Sequence, residues 1–285
     1  MKTAAIIVNH NNGDVLFSKV QSTCACSCID AVIVVDNKST DNSVEAVAGF
    51  DKVTVLYSDK NGGYGYGNNI GLKYADEVLC ADYAVISNPD TEFSDDCIRE
   101  MLRILSSGKD IAVCAPVCRT PESSFESPVS AWPIRSWHNE LFEHGPIMRR
   151  IFRKSANYPE SLFSSRDPVC VGAVLGSCLA VNIKKLREVG CYDENIFLYC
   201  EENIIGCKLK EHGCNTMLLC NISYLHNHKP ALPGTDQIRT LRDSELYYFE
   251  NYLHAGFIKM LFSRLFFAIV ILESGIINIL CRKKS

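Results

Sequence analysis

Short apolar runs alternate with polar clusters along the first third of the chain. Four runs end in turn-forming residues and predict buried strands: Ala4–Val8, Ala31–Val35, Val53–Tyr57 and Tyr83–Ser87. Apolar positions at helical spacing over 68–79 and 95–106 predict helices. Because strands that alternate with helices pair in parallel through crossovers, we expect an α/β, Rossmann-like fold with a mostly parallel central sheet and flanking helices.

Polar clusters follow each of the four predicted strands. Asn9 follows the first strand, Asp36 the second, Asn61 the third, and Asn88–Glu92 the fourth. Ligands of such sheets bind beyond the carboxyl ends of the strands. We therefore expect these clusters to share one crevice.

The composition of the chain changes after residue 118. Residues 119–168 hold six of the ten prolines and both tryptophans, which predicts a partly ordered insertion over the crevice. Regular patterns then return, with helices predicted over 183–189 and 201–212 and strands over Met217–Leu219 and Ile222–Tyr224.

The carboxyl-terminal segment, residues 256–281, is strongly apolar. Lys259, Arg264 and Glu273 interrupt it, so no uncharged stretch reaches the ~20 residues that span a bilayer. Its apolar residues recur every three or four positions, and a basic end follows at 282–284. The pattern favours an amphipathic helix on an anionic cytoplasmic membrane surface. A core helix or an oligomer-facing helix, and hence a homodimer, remains the alternative.

Composition narrows the possible functions. The chain has 285 residues, 47% of them hydrophobic, and a formal net charge of -4, which gives no electrostatic reason to expect nucleic-acid binding. Its 15 cysteines lie mostly in apolar runs and none has C-x-x-C spacing, which is typical of reduced thiols in a cytoplasmic protein. The amino terminus lacks the apolar length of a signal peptide.

Two stretches beyond predicted strands are candidate ligand sites. Asp90 follows Asn88-Pro89, which is either an ordinary turn or a carboxylate that holds a divalent ion, with Glu92 in support. The glycine-rich stretch 60–71 does not have the spacing of a dinucleotide fingerprint, but it allows a ligand to approach the backbone closely.

Two pairs of residues are candidates for acid–base or metal chemistry. Glu201 and Glu202 begin a predicted helix, where acids also offset the helix dipole. Adjacent helical residues lie about 100° apart, so we expect only one of them to face a substrate as general base. His226 and His228 share one face of an extended segment, which is compatible with metal or phosphate binding.

Five motifs in order resemble inverting glycosyltransferase family 2, in its rhamnosyltransferase-like branch. The resemblance covers roughly residues 3–230. The motifs are "IIVNHNN", "VVDNKSTDNS", "NGGYGYGNNIG", "NPD" and "GCYDENIFLYCEEN".

The resemblance implies a GT-A fold, a nucleotide-diphosphate-sugar donor such as dTDP-rhamnose or a UDP-hexose, and Mg²⁺ or Mn²⁺. Glu202 stands where the family has its catalytic Asp, one methylene shorter. Ile204 and Lys208 also depart from the family pattern. The residues implied to bind the donor are Asn9, Asp36, Asn61, Gly63, Asn69 and Asn88. Those implied to bind the metal are Asp90 with His226 or His228.

The expected protein is therefore a cytoplasmic enzyme, peripheral to the inner face of the plasma membrane. It would add a sugar to a polyprenyl-diphosphate-linked glycan of a bacterial surface polysaccharide such as O-antigen or capsule. Residues 1–230 would form the catalytic domain, with 1–118 as its nucleotide-binding half and 119–230 as its acceptor-side half, and 231–285 would form the membrane-associating tail. A sugar-phosphate nucleotidyltransferase or a non-catalytic nucleotide-sugar-binding partner are the alternatives.

Overall fold

The computed structural model describes residues 1–108, 110–121, 130–145, 147, 150, 157–227 and 234–282. The strands are β1 Thr3–Asn9, β2 Ala31–Asp36, β3 Val53–Tyr57, β4 Tyr83–Ser87, β5 Thr91–Glu92, β6 Ile111–Arg119, β7 Ala131–Trp132, β8 Val169–Val171, β9 Ala173–Val174, β10 Cys178–Asn182 and β11 Asn215–His226. The helices are α1 Gly13–Ala25, α2 Tyr64–Glu77, α3 Asp95–Ser107, α4 Trp137–Leu141, α5 Ile183–Glu188, α6 Glu201–Glu211, α7 Thr235–Asn251 and α8 Phe257–Arg282, with a 3₁₀ turn at Glu160–Ser164.

The four strands predicted at the amino-terminal end form a parallel unit in the order β3-β2-β1-β4. Within the described residues the sheet has nine strands, and the part beyond this parallel unit is mixed. β10 lies antiparallel between β4 and β6, while β6 and β11 are parallel to each other. Insertion of β10 joins the two halves into one sheet and brings the ends of β4 and β11 to a common side.

Alternate residues of the central strands fill two cores, one on each face of the sheet. Ile6 packs on the face covered by α2, and Ile7 packs on the face covered by α1 and α3. Both side chains are fully buried. At roughly 1.5–3 kcal/mol for each fully buried aliphatic side chain, these two cores fix the strand register.

One predicted helix and one pair of predicted strands differ from the structure by more than a residue at an end. α2 begins at Tyr64, four residues before the predicted start, because Gly63 adopts a positive φ of 90° and the Tyr64 N–H donates to the Phe197 carbonyl at 3.0 Å. The two strands predicted over 217–224 are one strand, β11, with an irregular register between Leu219 and Ser223.

The carboxyl-terminal helices build a third core. Phe249 of α7 and Phe266 and Phe267 of α8 pack with Leu141 of α4 and Ile204 of α6. Ile204 is one of the departures from the family pattern, and its fully buried place in this core requires an apolar side chain. The tail is therefore joined directly to the helix that carries Glu202. The proposed domain boundary after residue 230 stays a prediction.

Candidate active site

A cavity of about 470 Å³ lies beyond the ends of β4 and β11. Three of the predicted site residues line it: Asn88, Glu202 and His226. Further lining residues come from the insertion, namely Trp132, Arg135, Glu140 and His144, and from α7, namely Leu241 and Glu245. The insertion thus lies against the crevice, as its composition predicted. His228 lies outside the described residues.

Asp90 reaches this cavity through His226. The Asp90 Oδ1 atom lies 3.3 Å from His226 Nε2, and both side chains are partly exposed. Burial lowers the pKa of His226, but the hydrogen bond and the charge of Asp90 raise it by more, to about 9. A divalent cation such as Mn²⁺ or Mg²⁺ would displace the proton that this pair shares. A carboxylate oxygen and a neutral imidazole nitrogen suit such a cation, so the residues present fit this group.

A buried lysine stabilises the turn that carries Asp90. Lys19 of α1 is 3% exposed and donates through Nζ to the carbonyl and to Oγ1 of Thr91, each at 2.9 Å. The Thr91 hydroxyl in turn donates to the Asn88 carbonyl at 2.8 Å. Burial lowers the pKa of Lys19 to about 8. Sequence reasoning missed this residue, because a single lysine in a helix gives no sign that it points inward.

The predicted donor residues near β1 and β2 form a second polar group. The fully buried Asn9 amide donates to the hydroxyls of Ser43 and Ser39 at 2.7 and 3.1 Å. Asp36 accepts from the Ser39 N–H at 3.3 Å. These bonds hold the loop after β2 against the end of β1.

Asn61 and Gly63 are brought to the same edge by Asn37, which sequence reasoning did not single out. The Asn37 amide donates to Asn61 Oδ1 and to the Gly63 carbonyl, each at 3.0 Å. A Cβ at Gly63 would lie 1.9 Å from the Phe197 carbonyl oxygen, so glycine is required there.

Asn69 is not brought to this cavity. Its amide donates to the Tyr192 carbonyl at 3.0 Å and to Glu194 Oε1 at 2.8 Å, and its oxygen accepts from the Tyr192 N–H. It lines a separate cavity beside α5. Asn69 thus ties α2 to the loop before α6, and its contact with a donor remains only a prediction.

α6 starts from a sharp turn that presents two carboxylates to the cavity. Tyr199 and Cys200 both have positive φ, at 74° and 68°. Glu202 is half-buried, and its Oε1 accepts the Gly176 N–H at 3.1 Å. Burial raises the pKa of Glu202, while its backbone hydrogen bonds oppose that rise. A desolvated, oriented carboxylate of raised basicity suits a general base.

Glu201 lines the same cavity but is 5% exposed, and its Oε1 has no partner within the described residues. Burial, and then the charge of Glu202, raise the pKa of Glu201 to about 8. An ordinary glutamate has a pKa of ~4.3. Between these values the folded chain binds more protons than the unfolded chain, so Glu201 lowers stability progressively as pH rises towards 8.

We expect Glu201→Gln to raise the free energy of unfolding at pH 8.5 by roughly 2–4 kcal/mol, and to change it little at pH 4. Urea unfolding at the two pH values measures this, with the exposed Glu211→Gln of the same helix as control. Equal gains at both pH values would show that burial of the Glu201 charge is not the cause.

A hydrogen-bonded chain of polar side chains fixes the part of the cavity wall that the insertion forms. Trp132 Nε1 donates to Asn203 Oδ1 at 2.6 Å, and Asn203 Nδ2 donates to Glu140 Oε1 at 2.9 Å. Arg135 donates to Glu140 Oε2 at 3.2 Å. Sequence reasoning placed the tryptophans over the crevice but gave no signal for the polar partners.

His144 and Glu245 extend this wall. Their Nε2 and Oε1 atoms lie 2.7 Å apart, and Glu245 is 1% exposed. Burial lowers the pKa of His144, but Glu245 more than offsets this and the net direction is upward. Potential ligand atoms of Glu140, His144 and Glu245 all lie within 4.8 Å of one another, so a cation could also be held there.

Comparison with known proteins identifies a glycosyltransferase. The model of a family described as glycosyl transferase family 2 matches residues 4–168, more than half of the chain, so the chain belongs to this family. The predicted family and enzyme class are confirmed.

Two curated relatives carry transferase names. The chain is 29% identical over 216 residues to N-acetylglucosaminyl-diphospho-decaprenol L-rhamnosyltransferase of Mycobacterium tuberculosis, covering 72% of this chain and 69% of that protein. It is 24% identical over 225 residues to the low-salt glycan biosynthesis hexosyltransferase Agl10 of Haloferax volcanii. This match covers 78% of this chain and 66% of that protein. These likenesses support the rhamnosyltransferase-like assignment.

Solved structures show the same fold at low identity. GalNAc-T7 with UDP, GalNAc and Mn²⁺ superposes with a TM-score of 0.64 at 16% identity, over 90% of this chain but only half of that one. The mannosyltransferase PcManGT of Pyrobaculum calidifontis with GDP-Man and Mn²⁺ superposes with a TM-score of 0.59 at 14% identity. The superposition covers 96% of this chain and 71% of that one. The predicted GT-A fold is confirmed. The roles of the individual site residues remain predictions.

Proposed function

We propose that the protein is an inverting glycosyltransferase that moves a sugar from a nucleotide-diphosphate donor to a hydroxyl of a lipid-linked glycan. The observation that carries this proposal is the single cavity lined by Asn88, Glu202 and His226, with Asp90 3.3 Å from His226. A residue suited to deprotonate an acceptor and residues suited to the donor diphosphate thus face the same space.

The reaction follows from this arrangement. Glu202, oriented by the Gly176 N–H, takes the proton of the acceptor hydroxyl as its oxygen bonds to the anomeric carbon. The bond from that carbon to the donor diphosphate breaks on the opposite face, so the anomeric centre inverts and a nucleoside diphosphate leaves. Asp90 and His226 would hold a divalent cation, which supplies Lewis-acid stabilisation of the leaving diphosphate.

The relatives suggest the substrate class. The name of the mycobacterial relative specifies a rhamnosyl group and a diphospho-decaprenol acceptor, and that of the archaeal relative a hexosyl group. We infer a dTDP-rhamnose or UDP-hexose donor for this chain, a polyprenyl-diphosphate-linked acceptor, and a role in surface polysaccharide synthesis such as O-antigen or capsule.

A donor screen tests the reaction class. The full chain is incubated with dTDP-rhamnose, UDP-hexoses and GDP-mannose, each with Mn²⁺ or Mg²⁺, and binding and slow release of the nucleoside diphosphate are measured. We expect one donor to bind and hydrolyse. Conversion of a sugar 1-phosphate and a nucleoside triphosphate instead would identify a nucleotidyltransferase.

Helix α8 supports attachment to a membrane surface. Its inward face buries Ser263, Glu273 and Ser274. Its outward face exposes large apolar side chains: Phe257, Ile258, Leu261, Leu265, Ile269, Leu272 and Ile276. By length and composition, Phe257–Ile277 could also cross a membrane. Because the body of the protein packs along the inward face, we propose that α8 lies in the cytoplasmic interface of the membrane.

We expect Leu265→Gln with Leu272→Gln to weaken binding to anionic phospholipid vesicles about a hundredfold, since each leucine contributes roughly 1.5 kcal/mol when buried. Vesicle sedimentation measures this, with Val78→Gln, an exposed apolar residue elsewhere, as control. Unchanged sedimentation together with conversion of a dimer to a monomer would assign the face to oligomerisation instead.

A further inference from the structure

The hydroxyl of Tyr64 is bonded to the glycine that orients Glu202. Tyr64 Oη donates to the Gly176 carbonyl at 2.6 Å. The N–H of the same glycine donates to Glu202 Oε1 at 3.1 Å. Tyr64 and Glu202 therefore bind the two backbone polar groups of one residue, and any shift of Gly176 also moves the hydrogen bond that holds the carboxylate.

Tyr64 also joins the glycine-rich stretch to the turn before α6. Its backbone N–H donates to the Phe197 carbonyl at 3.0 Å. Its ring packs edge-on against Tyr192, with ring centroids 5.9 Å apart and planes at 88°. Neither contact needs the hydroxyl, so a phenylalanine could make both. The bond from Oη to Gly176 is the contact that only a tyrosine supplies.

The Tyr64 hydroxyl is suited to be a permanent donor. Burial, and then the neighbouring Tyr192 and Glu202, raise the pKa of Tyr64 well above its usual value. The hydroxyl therefore stays protonated when the enzyme works. Its bond to the Gly176 carbonyl is also at the short end of the range for O–H donors.

Packing alone does not fix the carboxylate. A small internal cavity of about 20 Å³ is lined by Tyr64, Gly176 and Glu202 together with apolar side chains such as Ile205. Because protein interiors are otherwise close-packed, this space leaves room for the glycine or the carboxylate to move. Gly176 has no side chain that could anchor it, and an added Cβ would lie 3.0 Å from Glu202 Oε1. Hydrogen bonds therefore set the position of this segment.

We propose that Tyr64 is a positioning residue for the general base: its hydroxyl fixes Gly176, and Gly176 holds Glu202 in the orientation that takes the acceptor proton. The inference rests on the proposed function. Orientation matters because a displacement of about 1 Å at the reacting atoms can cost ~10²-fold in rate. Since Asn61 and Gly63 lie in the stretch that precedes Tyr64, this residue also connects the predicted donor side of the site to the base.

Tyr64→Phe tests the role of the hydroxyl. We expect the rate constant for transfer, at saturating donor and acceptor, to fall about 10–100-fold because Glu202 is no longer held in place. Donor affinity, measured by calorimetry, should stay within about threefold, since only the chemical step loses an interaction. Tyr158→Phe is the matched control. Tyr158 is also half-buried, and its hydroxyl also bonds to a glycine backbone, accepting the Gly172 N–H at 3.0 Å. This control should change neither quantity.

A double-mutant cycle with Glu202→Gln separates positioning of the base from a general structural role. If Tyr64 acts through Glu202, adding Tyr64→Phe to Glu202→Gln should lower the residual rate by less than about twofold, because no base is left to orient. A normal rate in Tyr64→Phe, the full further loss in the double variant, or an equal loss in Tyr158→Phe would overturn the proposal.

The two levels of the argument fail differently. A normal rate in Tyr64→Phe beside an impaired Glu202→Gln contradicts the positioning role alone and leaves the proposed function intact. A normal rate in Glu202→Gln itself contradicts the assigned base, and the positioning role falls with it.

Discussion

Glu202→Gln should lower the rate constant for sugar transfer by a factor of about 10²–10⁴, the usual contribution of a general base. The amide keeps the size of the side chain and can still accept the Gly176 N–H, so the turn before α6 should be retained. It cannot take a proton from the acceptor. Donor affinity should change by less than about threefold, because the donor residues lie on other elements.

The measurement is transfer to a lipid-linked acceptor at saturating donor, with donor affinity measured separately by calorimetry. Glu211→Gln, exposed at the end of the same helix, controls for a general effect of removing a carboxylate. If Glu202→Gln transfers normally and Glu201→Gln does not, the general base is the neighbouring residue. Full activity in both variants would contradict carboxylate base catalysis at this position.

The amino-terminal half of the fold was predictable because each of its strands is marked by residues that are neighbours in the sequence. β1 to β4 are short apolar runs with turn formers after them, and parallel pairing follows from the intervening helices. β10 was not predictable as the central antiparallel strand. Cys178–Asn182 is simply apolar, and its partners β4 and β6 lie far away in the chain.

The residues of the site also divide into those that the sequence motifs identified and those that sequence reasoning missed. Sequence motifs identified Asn88, Glu202 and His226, and the structure places all three around one cavity. The buried partners Lys19 and Glu245 were missed, because their importance lies in contacts made across the fold. Burial of a long polar side chain is a tertiary property that no spacing rule reports.

Asn69 shows what a sequence motif alone does not report. It lies in a glycine-rich stretch that resembles a ligand-binding motif, yet its amide is bonded to Tyr192 and Glu194. A motif residue can therefore belong to the scaffold that positions a site. Only the hydrogen-bond partners of such a residue distinguish a scaffold role from a ligand-binding role.

Asp90→Asn should weaken binding of the donor, whereas Glu202→Gln should slow the chemical step. An amide is a weaker ligand for a divalent ion than a carboxylate, and one or two carboxylates are all that a protein usually contributes to an ion bound to a diphosphate. We expect Mn²⁺-dependent donor affinity to fall at least about tenfold and transfer efficiency about 10²–10³-fold. The turn should persist, because Asn227 bonds to the Asp90 backbone carbonyl and Lys19 holds Thr91.

Calorimetric titration of the donor with and without Mn²⁺ measures this effect, and Asp51→Asn on the surface is the matched control. Chelation of the metal from the unmodified chain should reproduce the loss of donor affinity, and chelation should add little to the variant. Because Asp90 and Glu202 are assigned to different steps, the two variants should separate cleanly, one losing donor binding and the other retaining it. Metal-dependent donor binding that survives Asp90→Asn would place the cation on other residues.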